Sequence, residues 1–305
     1  NLHPLFIIFF YVFHIHITSG DWMGFKKYLQ INIYNIIMCV ILFSLSFAQL
    51  PAEKSQTVSS QAEFIKLPIL MYHGFTNSQK TSDYVINTND FENDIIYLKK
   101  NGYSFINTHD LVNYVYYNKS LPLKPIMITF DDGYLSNYEI AFPILKELNI
   151  PATIFVVTDS VGEMAGGGKV NYSHFTWEQA KEMEDSGFID IQSHTASHKA
   201  LATVDYSSLV TELRKSKYTI EKNLGKECDM IAFPYGSYTD EVKAAAKSAG
   251  YKLQTLVDDK STEEDFQVNI PSEGIENLTR MTISGTMGNV NVIEIIRRAA
   301  SKKIV

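Results

Sequence analysis

From residue 65 onward the sequence predicts an α/β fold with parallel strands, and three observations carry that prediction. Short apolar runs alternate with segments of helical period, the pattern of repeated βα units. Capping residues mark where the helical segments start and stop. Several apolar runs end directly at chemically active residues, and parallel strands would bring those ends to one face, where ligands bind in such folds.

In chain order, Pro68-Ile69-Leu70-Met71-Tyr72 is a strand that ends at His73. Asn89 with Glu92 opens a helix that closes at Gly102. Pro125 to Phe130 is a second strand and ends at Asp131-Asp132-Gly133. Tyr134 to Leu148 has helical period but contains Pro143, so it should kink or restart there. Thr176-Trp177-Glu178-Gln179 fits a capping box, and its helix stops at Gly187. Phe188 to Ser193 is a strand ending at His194, with His198 four residues on. A helix follows Ser207 and ends near Gly225. Met230 to Phe233 is a strand that ends at Pro234-Tyr235-Gly236, and the helix from Thr239 to Ala249 ends at Gly250. Leu278-Thr279-Arg280-Met281 lies in a late strand region.

Composition narrows the function. The 305 residues hold 27 Lys and Arg against 34 Asp and Glu, a net charge of −7, which excludes a nucleic-acid binder working by bulk phosphate neutralisation. A hydrophobic fraction of 45% with 20% charged residues excludes a disordered chain. Two Cys cannot build a disulfide framework or a Cys-rich zinc module. Cys39 lies in the apolar leader, so Cys228 is read as a buried core residue; flanking Glu227 and Asp229 argue against a thiolate nucleophile.

The N-terminal region has its own organisation. Residues 1–22 read as a segment upstream of the true start at Met23. Residues 23–48 read as a signal peptide, with basic Lys26 and Lys27, an apolar stretch from Ile36 to Phe47 and a cut after Ala48; an uncleaved N-terminal anchor is the rival reading. Residues 49–64 read as a flexible linker, which leaves 65–305 as the domain that carries the chemistry.

An Asp-Asp pair is weak evidence alone, but Asp131-Asp132 directly follows a buried strand, where a charge needs a partner. With eight His in the chain, the His194-x-x-x-His198 spacing is also weak alone. Together at two strand ends, the pairs point to a metal. Two imidazoles and one carboxylate around an open position suit catalytic zinc, with cobalt or nickel as alternatives. His73, at a strand end on the same face, is the third candidate histidine. His109 and His174 are read as surface or capping residues, and Trp177 as packing a helix start.

These residues resemble the polysaccharide deacetylases, the NodB-homology proteins of carbohydrate esterase family 4. The resemblance runs from about Leu67 to the C-terminal helix. It rests on Thr129-Phe130-Asp131-Asp132-Gly133, His194-Thr195-Ala196-Ser197-His198 and Phe233-Pro234-Tyr235-Gly236. It implies a distorted, incomplete (β/α) barrel and metal-dependent removal of acetyl groups from sugar polymers. Asp132, His194 and His198 would hold the metal and Asp131 would act as base. The Tyr235 backbone N–H would help hold the oxyanion, with Phe233 and Pro234 beside it.

The sequence departs from the commoner family pattern in three places. No His follows His198 to serve as the acid, and His73 in Met71-Tyr72-His73 can fill that role. That layout resembles the circularly permuted branch, which includes deacetylases of poly-β-1,6-N-acetylglucosamine. Ala232 stands where many relatives have an Asp-orienting Arg, and Arg280 is the candidate substitute. The Asp-x-x-Asp-Trp motif is absent.

The expected function is therefore an exported or cell-surface N-deacetylase of N-acetylglucosamine polymer, monomeric, with a membrane contact only through an uncleaved leader. Peptidoglycan, chitin oligomers and acetylated xylan are alternative substrates. A non-catalytic glycan-binding module is the alternative of another class.

Overall fold

The computed structural model describes residues 65–164, 172–257, 269–272, 274–286, Val292 and Ile296. The proposed upstream segment, leader and linker at 1–22, 23–48 and 49–64 therefore lie outside the described residues, as does Cys39. Strand β1 (Ile69–Tyr72) leads through a small separate pair, β2 (Gly74–Thr76) and β3 (Val85–Asn87), to helix α1 (Thr88–Lys100). Next come β4 (Ser104–Ile106), α2 (Thr108–Tyr117), β5 (Pro125–Phe130), α3 (Phe142–Leu148) and β6 (Ala152–Val156). They are followed by α4 (Trp177–Asp185), β7 (Ile189–Ser193), α5 (Tyr206–Leu224) and β8 (Met230–Ala232). The described elements close with α6 (Asp240–Ser248), β9 (Leu253–Val257) and β10 (Leu278–Thr282).

The sheet runs β1-β10-β9-β8-β7-β6-β5, every pairing is parallel, and β5 pairs back onto β1 from Ile69↔Met127 to Tyr72↔Phe130. The result is a closed (β/α) barrel with seven strands in the ring. It is incomplete in strand number, not in hydrogen bonding. β4 stays outside the ring, on the first half of the β5 edge whose end β6 takes.

Successive strand residues face opposite sides of the sheet. Ile69, Met127, Phe155, Met230, Leu253 and Leu278 form part of one buried cluster, while Leu70, Ile128, Ile154 and Ile231 belong to another that includes the helices' buried residues. Two residues beyond Met127 and Leu278, the same period sets Thr129 and Arg280 on the inner side, above an apolar floor.

Helix ends follow capping chemistry with two corrections. The Asn87 side chain, not Asn89, caps α1 by accepting the Asn89 N–H; Asn87 is extended and ends β3, whereas Asn89 lies within the first turn. Asp205, not Ser207, caps α5 by accepting from Ser208. Thr176 and Gln179 form the expected capping box, and Thr239 caps α6. The Tyr134–Leu148 segment changes its winding at Pro143: a π-helical stretch over Asn137–Ala141 runs directly into α3, whose first turn holds Pro143.

Cys228 is a fully buried free thiol, pushed by burial up to about 12 and so inert as a nucleophile. No helix among the described residues is long and apolar enough to cross a membrane.

Asp94, on the buried face of α1, accepts the Tyr72 hydroxyl at 3.2 Å, and burial pushes its carboxyl up to about 7. The folded state thus binds this proton more tightly than the unfolded chain. The contribution is fully present below the ordinary carboxyl pKa and is lost as pH rises through about 7. Asp94→Asn is expected to stabilise the protein at pH 8 and to lose that advantage towards pH 4, measured by urea denaturation across the range.

Candidate active site

The C-terminal ends of the barrel strands converge as the strand-end pattern predicts. Asp131 follows β5, and its backbone N–H donates to Tyr72 O on β1 at 3.0 Å. Its carboxylate meets Arg280 of β10 in a two-point contact: Nη1 to Oδ1 at 2.5 Å and Nη2 to Oδ2 at 2.8 Å. Arg280 is 0% exposed and Asp131 2%, so both charges are buried. The guanidinium is further held by Leu256 O and Thr129 Oγ1, each at 3.4 Å, and stacks over the Phe155 ring at 5.1 Å. Burial alone would raise the Asp131 pKa. The Arg280 charge, with His194 behind it, outweighs burial and holds the carboxyl well below its usual range.

Asp132, His194 and His198 meet beside this pair, with one ligand atom from each lying within 4.8 Å of the others. His198 Nε2 is 3.3 Å from Asp132 Oδ1 and 3.2 Å from His194 Nε2. His194 Nδ1 lies 2.8 Å from Ala232 O, an acceptor only, so Nδ1 carries the proton and Nε2 faces the cluster with its lone pair. His198 Nδ1 lies 3.0 Å from the Tyr235 hydroxyl, and its Nε2 faces Asp132 and His194. Two imidazole nitrogens and a carboxylate facing one point fit a borderline divalent metal ion.

The loops that present these groups have uncommon backbone. Asp132 (φ 71°), Thr195 (φ 70°), His198 (φ 59°) and Tyr235 (φ 59°) all sit in the left-handed region although none is Gly. Local bonds support the His194–His198 loop, including His198 N–H to Thr195 Oγ1 at 3.1 Å. Phe233 and Pro234 are buried, while Tyr235 is 66% exposed and its ring packs edge-on against His198.

His73 is buried at the end of β1, its ring 5.1 Å from that of Tyr84 and its Nδ1 without a hydrogen-bond partner among the described residues. Burial lowers its pKa, against the opposing fields of Asp131 and Asp132. The structure corrects the reading of His174 as a surface or capping residue. It is partly buried, pairs by a backbone bridge with Tyr134, sets its ring at a tilt 5.3 Å from the Tyr134 ring, and lies in the field of Asp132. His109 is exposed as expected. Trp177 is half-buried against the core. The sequence reading gave Thr129, Tyr134 and Phe155 no role at the site, although Thr129 stands in the quoted motif two residues before Asp131, on the same side of β5.

At the opposite end of the barrel, a cavity of about 440 Å³ is lined by residues including His109, Asp190, Lys226 and Lys252. Its lysines are paired with Glu184, Asp190, Glu227 and Asp229. Such N-terminal barrel faces serve stability more than chemistry.

A model of the polysaccharide deacetylase family matches residues 118–254. The Bacillus subtilis protein YxkH, assigned to the polysaccharide deacetylases, is 31% identical over 222 residues, which cover 73% of each chain. The chain belongs to the polysaccharide deacetylase family. It is 30% identical over 197 residues to the poly-β-1,6-N-acetyl-D-glucosamine N-deacetylase of Staphylococcus aureus, covering 61% of this deacetylase and 66% of that one. Among solved structures, the Streptococcus pyogenes deacetylase PplD superposes with a TM-score of 0.63 at 26% identity, over 76% of this chain and 98% of that one. IcaB from Ammonifex degensii gives 0.63 at 25% identity, over 77% and 97%. By its family the deacetylase is a hydrolase.

Gly133, between Asp132 and the helical segment, has φ +80°, and an added Cβ would lie 3.1 Å from Val156 Cγ1. Gly133→Ala is expected to destabilise the fold by about 1–2 kcal/mol in urea denaturation, since backbone and space both oppose it.

Proposed function

We propose that this deacetylase removes N-acetyl groups from an N-acetylglucosamine polysaccharide, with poly-β-1,6-N-acetylglucosamine as the favoured polymer. The Staphylococcus relative's named substrate and the placement of a candidate acid, His73, directly after the first barrel strand support that choice. Asp132, His194 and His198 are the proposed ligands of one divalent ion, zinc by preference, with cobalt or nickel as substitutes. Bound there, the ion would polarise the acetamide carbonyl and lower the pKa of water towards neutrality.

The observation that carries the mechanism is the Asp131–Arg280 pair. A carboxylate held ionised and unable to rotate, beside the His-His-Asp cluster, can accept a proton from the attacking water. The Tyr235 N–H is the proposed donor to the tetrahedral oxyanion. His73 is the proposed general acid. It gives its proton to the sugar nitrogen as the C–N bond breaks, so that the products are acetate and a free amine. The leader pattern at 23–48 supports export to the cell surface or beyond.

Acetate release from poly-β-1,6-N-acetylglucosamine, followed by mass spectrometry beside chitin oligomers, peptidoglycan and acetylated xylan, is expected to be highest on the first. Dialysis against a chelator should abolish release and added zinc or cobalt should restore it; undiminished release after chelation would remove the metal from the mechanism.

Arg280→Met is expected to lower kcat by about 100-fold or more with KM little changed, because Asp131 loses its orientation while the polymer contacts remain. A variant that stays folded by circular dichroism and keeps the parental rate would rule out this role for Arg280.

A further inference from the structure

Helix α5 carries a carboxylate on the face where its packing calls for apolar residues. Glu212 stands among buried Leu209, Leu213 and Ser216 and is itself 4% exposed. A buried charge is destabilising unless it is hydrogen-bonded. The partners of Glu212 all lie in the loop after β7. Ser197 donates its N–H to Oε2 at 2.8 Å and its hydroxyl to Oε1 at 2.6 Å, and Lys199 Nζ stands 3.0 Å from Oε1.

One helical turn further on, Ser216 Oγ lies 2.7 Å from Ser193 Oγ, which accepts the Thr195 N–H at 3.2 Å. The helix therefore grips the loop on both sides of His194 with residues four apart. What it grips is unfavourable backbone, left-handed at Thr195 and His198.

We infer that Glu212 is a positioning residue for the histidine loop: its carboxylate, together with the separate Ser216–Ser193 contact one turn on, holds Thr195–His198 in the geometry that aims His198 Nε2 at Asp132 and His194. This rests on the reading of Asp132, His194 and His198 as metal ligands. Glu212 bonds Ser197 and Lys199 rather than Asp132, His194 or His198, so its effect on the cluster runs through Ser197.

The test is metal binding by the full-length protein without substrate. Zinc affinity is measured by competition with a chromogenic chelator, and the cobalt(II) absorption band is recorded. Wild type, Glu212→Gln, Ser197→Ala and His198→Ala are compared after circular dichroism has established that each is folded. Glu212→Gln is expected to bind zinc about 10-fold or more weakly and to shift the cobalt band, as disturbed outer contacts of metal ligands do. Ser197→Ala should move both readouts in the same direction, and it decides alone if Glu212→Gln does not fold.

A lowered melting temperature with wild-type affinity and spectrum would reduce Glu212 to a structural residue and overturn the inference. If wild type binds no metal, or His198→Ala binds as well as wild type, the ligand reading itself falls and takes the inference with it.

Discussion

Everything at the mouth of the barrel depends on one buried ion pair. Asp131 and Arg280 are far apart in sequence, and neither charge could stay buried without the other. β1 lies between β5 and β10 in the ring, so the two side chains reach each other across the interior only when β5 has closed onto β1. Closure and charge compensation therefore require each other. Removing one partner of such a pair typically destabilises by about 3–5 kcal/mol, because the other charge is left stranded. The same pair keeps Asp131 ionised, so a single contact serves both the architecture and the proposed chemistry.

The site was more legible in the sequence than the barrel was. Strand ends at His73, Asp131 and His194 could be read because apolar runs stop abruptly at polar residues, and the run from Met230 to Phe233 because it meets Pro234. β4 and β8 are three residues long, too short for a period of two to declare itself, and β4 was not foreseen. Helix caps were readable to within two residues, because several neighbouring Asn, Asp and Ser compete for each cap. His174 was misread because it belongs to no strand end; only the folding of its loop against Tyr134 brings it near Asp132. Nor did spacing connect Arg280 with Asp131. That pairing was suggested by the family resemblance and by the vacancy left at Ala232.

Strain is concentrated where the ligand atoms converge. Asp132, Thr195, His198 and Tyr235 each adopt backbone that costs of order 1 kcal/mol or more for residues other than Gly. The surrounding bonds, from Thr195 Oγ1 to the Ala232 carbonyl, offset that cost and leave little freedom for the imidazoles to drift. A site assembled from strand ends alone would be looser.

The apolar floor beneath Arg280 makes the barrel a blind well. Met127, Phe155, Met230, Leu253 and Leu278 fill the interior below the ion pair, so nothing can be threaded through the ring. An acyl group must therefore enter from the rim, and the small acid it becomes must back out past the sugar that carried it. Traffic is two-way through one opening, which suits side groups trimmed from along a chain and leaves no exit tunnel for the chain itself.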